Sequence, residues 1–208
     1  MLQTSTIEPA TLDILKQLMS IPELSDFTLV GGTALSLRYG HRKSIDLDLF
    51  SSTDFDYDQI INALENHFHE SYIHNSTNSI GIFGFINGVK IDLIKYHFHP
   101  IIAPILIEDN IRFMSDQDIM AMKINAILRR GVRKDFWDIA ELLKHYSLEE
   151  MISCYKQKYS KQIIPISIPR ALTYFADADQ SDNPICLNNQ TWSDIKNEIQ
   201  TKVREYLS

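Results

Sequence analysis

Two short runs place carboxylates inside strict polar–apolar alternation. Asp46-Leu47-Asp48 lies within residues 44–50, and Lys90-Ile91-Asp92 lies within residues 89–96. Alternate residues of a strand share a face. Asp46 and Asp48 are therefore expected to project to one side, while Ile45, Leu47 and Leu49 enter a core. If 89–96 pairs beside 44–50, Asp92 joins them and three carboxylates converge on one patch. Alternation alone also fits a solvated polar face on an edge strand.

Convergence has a physical consequence. Like charges opposite one another destabilise a sheet, and a pair ~4 Å apart at an effective dielectric near 20 costs on the order of 4 kcal/mol. Such a cluster calls for a cation. Hard oxygen ligands without His or Cys suit Mg²⁺, which is commonly shared with substrate phosphates. Two ions held ~4 Å apart can activate an attacking oxygen and stabilise a leaving pyrophosphate. Gly31-Gly32-Thr33 adds a third piece, because glycines between a strand and a helix let a phosphate approach free backbone N–H groups. Thr33 offers a hydroxyl there. A plain strand-to-helix turn would use the same glycines.

The elements that must position these residues can be read from periodicity. Residues 9–20 carry a helical stripe (Leu12, Leu15, Leu18, Met19), and 27–30 form a short apolar strand ending at Gly31-Gly32. A short helix over 33–39 stops at Gly40, and 58–68 forms an amphipathic helix with Ile60, Ile61, Leu64 and Phe68. Strands over 79–86 and 89–96 meet at Asn87-Gly88, a hairpin turn whose two residues take positive φ. Beyond Ser115 the pattern is helical over 116–130, 134–145, 147–158 and 191–207, with an acidic connection at 176–190. The expected fold is α+β: a mixed sheet with flanking helices over 1–114, then a helical C-terminal subdomain over 115–208.

Composition narrows the partners. The net charge of −7 argues against a protein that wraps nucleic acid broadly, since phosphate neutralisation supplies most of that affinity. A local basic patch gripping one RNA end remains compatible with it. No apolar run approaches the ~20 residues of a membrane span. Residues 1–6 have neither the basic start nor the apolar core of a signal peptide, so a cytoplasmic protein is expected. Cys154 and Cys186 have no CxxC spacing and indicate neither a disulfide framework nor a zinc site.

The run from Val30 to Phe50 (V-G-G-T-A-L-S-L-R-Y-G-H-R-K-S-I-D-L-D-L-F) resembles the AbiEii/AbiGii family of abortive-infection toxins. These belong to the DNA-polymerase-β-like nucleotidyltransferase superfamily. Lys90-Ile91-Asp92 matches the family's Lys-x-Asp element, and Lys123 with residues 129–138 (R-R-G-V-R-K-D-F-W-D) resembles its Lys…Arg…Lys-Asp-x-x-Asp element. Carried over by position, the resemblance implies that Gly31, Gly32 and Thr33 cradle triphosphate oxygens. Asp46, Asp48 and Asp92 would hold Mg²⁺, with Asp92 also the candidate general base. Lys123 would meet the nucleotide phosphates, and Asp135 and Asp138 would shape the nucleotide or acceptor site. The implied activity moves a nucleoside monophosphate from an NTP to an acceptor, an RNA such as a tRNA 3′ end, as the toxin of a type IV toxin–antitoxin system with a cognate antitoxin.

Other readings stay open. The acceptor could be a protein or small-molecule hydroxyl, or the chain could be a catalytically silent binding module. Without the resemblance, Lys123 reads as a snorkelling core-helix lysine, and Asp135 and Asp138 read as first-turn carboxylates favoured by the helix dipole. The basic run Arg129, Arg130, Arg133, Lys134 reads as a solvated helix end, unless it faces the acidic cluster. His67 and His69 diverge on a helix end and are poorly placed to chelate, and Trp137 is expected to pack in a helical core.

Overall fold

The computed structural model describes residues 1–208. The chain runs through α1 (Pro9–Ser20), β1 (Phe27–Leu29), α2 (Gly31–Tyr39), β2 (Leu47–Ser51), α3 (Tyr57–Phe68), β3 (Tyr72–Asn78), β4 (Gly81–Ile86) and β5 (Val89–Lys95). It continues through β6 (Leu106–Glu108), β7 (Ile111–Phe113), α4 (Asp116–Arg129), α5 (Arg133–Leu142), α6 (Leu148–Lys158), α7 (Ile168–Leu172) and α8 (Trp192–Leu207).

Local chemistry explains most boundaries. Pro9 opens α1, where its missing N–H costs nothing. Asp56 caps α3 by accepting from the Gln59 N–H, and Ser115 caps α4 through the Asp118 N–H. Capping boxes open α6 (Ser147 with Glu150) and α8 (Thr191 with Asp194). Gly40, at φ 74°, ends α2 in the left-handed conformation.

The strands form one seven-stranded mixed sheet in the order β3-β4-β5-β2-β1-β7-β6. The pairs β2–β5 and β1–β7 are parallel, and the others are antiparallel. On one face Leu47, Leu49, Ile82, Ile86, Ile91 and Leu93 are buried, and α3 packs against β3 and β4 through Ile60, Leu64 and Phe68. The helices α4 to α8 pack on one another, and α2 touches both α4 and α5. One cluster of 51 buried apolar residues runs from Ile7 to Val203, joining sheet and helices. No helix is long and apolar enough to cross a membrane.

Several local expectations need correction. The strand expected over 44–50 begins only at Leu47, and Ile45 is exposed instead of entering the core. Here the chain follows tertiary contacts: Ser44 N–H bonds to Thr6 C=O and Lys43 N–H to Ile185 C=O, which pulls 43–45 off the sheet. The helix expected from Thr33 starts two residues earlier, at Gly31. Strand β3 is unanticipated, because its His-Asn-Ser-Thr-Asn stretch is polar, exposed and carries a bulge between His74 and Ser76. The β6–β7 hairpin is also new; Asp109 and Asn110 turn it with positive φ at both residues.

Candidate active site

The parallel pairing of β2 with β5 places Asp48 directly opposite Asp92 and Leu47 opposite Ile91. Both carboxylates therefore share the face opposite the buried leucines and isoleucines. Asp46, just ahead of β2, lines the same cleft as Asp48. Strand β1 ends beside them, with the Val30 N–H donating to the Asp48 C=O, and α2 starts at once.

The two glycines are needed where they stand. Gly31 has φ 71°, and a Cβ there would lie 3.1 Å from Asp48 Oδ2. At Gly32 a Cβ would lie 2.1 Å from Arg42 Nη2. The start of α2 is thereby threaded between the Asp48 carboxylate and a fixed guanidinium. Thr33 is buried, and its hydroxyl donates to the Asp46 C=O at 2.5 Å with Ser44 Oγ 2.8 Å away. That hydroxyl pins the Asp46 backbone to α2.

Across the cleft stands a cationic wall built on one buried carboxylate. Asp138 Oδ1 meets Arg42 Nε and His41 Nε2, each at 2.7 Å, and Oδ2 accepts from Arg42 Nη2 at 2.8 Å. Lys123 Nζ lies 2.6 Å from Asp138 Oδ2 and 3.1 Å from Asp135 Oδ1. Arg130 donates to Asp135 from the rim. Burial opposes the charge on Lys123, but Asp138 and Asp135 reverse this and lift its pKa above the ordinary lysine value. Burial would likewise raise the Asp138 pKa, yet Arg42 and Lys123 hold it well below the usual carboxylate range. Both groups are ionised at neutral pH.

The cleft is lined by Gly31, Gly32, Asp46 and Asp48 on one side and by Lys123, Arg130, Lys134 and Asp135 on the other. Asp138 lies behind this wall, fully buried, and positions Arg42 and Lys123. Asp92 lies one strand beyond Asp48. The basic run therefore divides: Arg130 and Lys134 face the acidic cluster, whereas Arg133 turns to the Ala178 and Asp179 carbonyls. Trp137 is buried and stacks on Trp192 at 5.5 Å. Sequence patterning gave no role to His41, Arg42, Ser44 or Phe50; the one usable signal was the basic triplet at 41–43 just before an acidic pair.

The acidic side fits a divalent cation. Burial and the neighbouring Asp92 push the Asp48 pKa up, the strain expected of adjoining carboxylates. Asp92 Oδ2 is held by Lys90 Nζ at 2.5 Å, while its Oδ1 is buried with no hydrogen-bond partner. No group of three His, Cys, Asp or Glu is drawn into a ready-made cage. Mg²⁺ does not require one, since it is usually bound by one or two carboxylates together with substrate phosphates.

Comparison with known proteins identifies the family and the fold. The family described as "Nucleotidyl transferase AbiEii toxin, Type IV TA system" matches residues 13–205. An uncharacterized protein of Aquifex aeolicus (strain VF5) is 32% identical over 200 residues, covering 94% of this chain and 95% of that one. Among solved structures, JHP933 from Helicobacter pylori superposes with a TM-score of 0.57 at 18% identity, covering 96% of this chain and 92% of its own. MenT4, a nucleotidyltransferase toxin from Mycobacterium tuberculosis H37Rv, does so with a TM-score of 0.59 at 12% identity, over 93% and 82%. At these identities the superpositions speak for a shared fold. The chain belongs to the AbiEii family of type IV toxin–antitoxin systems and is a nucleotidyltransferase.

Proposed function

We propose that the protein transfers a nucleoside monophosphate from an NTP to an RNA acceptor such as a tRNA 3′ end, with Mg²⁺, as a toxin restrained by a cognate antitoxin. The observation that carries the chemistry is the facing of the Asp46 and Asp48 carboxylates, with Asp92 beside Asp48 on the next strand, by the wall of Lys123, Arg130 and Lys134. An acidic patch that wants cations stands across from cations that want phosphate.

In this reading the triphosphate lies along the start of α2, where Gly31 and Gly32 let its oxygens reach backbone N–H groups. Lys123 meets it as a fixed point charge, and Arg42 backs it through Gly32. Asp46, Asp48 and Asp92 would hold Mg²⁺, which when bound supplies neutralisation of the phosphate charge. Asp92 accepts the proton of the acceptor hydroxyl. The acceptor oxygen forms a new bond to the α-phosphorus, the α–β anhydride bond breaks, and pyrophosphate leaves. Asp135 and Asp138 act by holding Lys123, Arg42 and Arg130 in place. We also propose the division of labour at residue 115: 1–114 carries the metal ligands and Arg42, and 115–208 supplies Lys123, Arg130 and Lys134.

Incubating the purified protein with Mg²⁺, each α-labelled NTP and total RNA tests the acceptor. Label entering RNA from one NTP is the expected result. Label entering only a protein band or a small molecule would replace RNA by another hydroxyl acceptor.

A further inference from the structure

We propose that the open face of β4 and β5 is a stacking platform for the unpaired bases of a single-stranded RNA end, seated so that its terminal hydroxyl meets Asp92. This rests on the transferase reading above and names the surface its acceptor would use.

The platform follows from register. In the antiparallel pair β4–β5, Phe83 stands opposite Asp92 and Phe85 opposite Lys90. Both rings therefore lie on the same face as Asp48 and Asp92, while Ile82 and Ile86 alternate into the core. Neither Phe83 nor Phe85 belongs to the apolar core cluster or packs against it, and neither ring stacks on another aromatic side chain. Ile73, paired with Phe85 on β3, is 61% exposed. The helix packed on β3 and β4 is α3, which covers the other face.

Two partly exposed phenylalanines beside a functional carboxylate want a flat apolar partner. Nucleobases supply one, and every base has a stacking face, so such a platform tolerates sequence. Aromatic side chains on an open sheet are a general way to hold splayed, single-stranded bases. Lys90, half-exposed on β5 between the rings and the cleft, pairs with Asp92 at 2.5 Å and has further N–H donors to offer a phosphodiester running past it. Ser76, opposite Phe83 on β3, adds an exposed hydroxyl at the platform edge. A chain of net charge −7 gains little from a broad electrostatic grip, so stacking next to the site is the economical alternative.

Fluorescence anisotropy with a labelled single-stranded oligoribonucleotide bearing a free 3′ hydroxyl, and with the same strand annealed as a blunt duplex, tests this. The single strand is expected to bind more tightly than the duplex. Phe83→Leu and Phe85→Leu should each weaken it roughly five- to a hundredfold, with NTP affinity unchanged and Phe85→Tyr retaining binding. Ultraviolet crosslinking of the same oligonucleotide to the unmodified protein should map to 81–86, which needs no variant to fold. Unchanged affinity in both leucine variants, or crosslinks elsewhere, overturns the platform while leaving the transferase reading intact. No single-strand binding by a protein that still transfers nucleotide to a non-RNA acceptor overturns both the platform and the RNA assignment.

Discussion

Asp48 on β2 and Asp92 on β5 stand directly opposite each other in a parallel pair, on the face opposite the buried leucines and isoleucines. Their backbones are fixed by the ladder, so only side-chain rotation can move the two carboxylates apart. Asp48 is already pushed up in pKa by burial and by Asp92. The sheet keeps the two groups adjacent, and a bound cation would relieve their repulsion.

Replacing Asp48 with Asn should therefore stabilise the metal-free protein while abolishing transfer. The gain is expected to be on the order of 1 kcal/mol, or about 2–4 °C in Tm for a chain of this size. Thermal melts with and without Mg²⁺ read it out. Mg²⁺ should raise the Tm of the unmodified protein and leave that of Asp48→Asn nearly unchanged. A variant that melts lower than the parent in the absence of metal would show that the carboxylates are not in conflict.

Gly32→Ala probes the other wall. The new methyl would meet Arg42 Nη2, and Arg42 cannot easily yield because Asp138 binds both its Nε and Nη2. Overpacking of this kind costs about 1–3 kcal/mol. Beyond the lost stability, NTP affinity should fall at least tenfold, measured by titration on the folded fraction. Wild-type NTP affinity in this variant would remove the start of α2 from the phosphate site.

Asp138 should matter more for stability than any residue lining the cleft. Its removal leaves Arg42 and Lys123 buried without their shared counter-charge, and breaking a buried pair in this way typically costs 3–5 kcal/mol. The pH dependence has a definite sign. The folded Asp138 pKa lies well below the ordinary value, whereas the unfolded chain titrates near 3.9. Its contribution is thus complete above about pH 3.9 and is lost as pH falls through the folded value. Urea melts across the acid range should show a shallower loss of stability for Asp138→Asn than for the parent. Equal slopes would mean that the carboxyl is not ionised behind the wall.

Legibility in the sequence tracked local periodicity. The amphipathic helices α1 and α3 and the Asn87-Gly88 hairpin follow from hydrophobic spacing and turn chemistry that act within a few residues. The alternation around Asp46 and Asp92 was visible too, but only the fold shows that β2 and β5 are neighbours in register. Strand β3 was not legible, because an exposed edge strand need not carry an apolar face. Arg42 escaped for another reason: it sits in irregular chain and takes its position from Asp138, 96 residues away. Thr33, expected to meet triphosphate oxygens, has its hydroxyl bonded to the Asp46 carbonyl, a contact that only the tertiary fold creates.

The most direct test of the central claim is a calorimetric titration of the four NTPs, with and without Mg²⁺, into the unmodified protein and the double variant Asp46→Asn, Asp48→Asn. Binding of one NTP that depends on Mg²⁺ and disappears in the double variant is the predicted result. Mg²⁺-independent binding, or binding that survives in a folded double variant, would contradict the assignment of these carboxylates to the metal and nucleotide site.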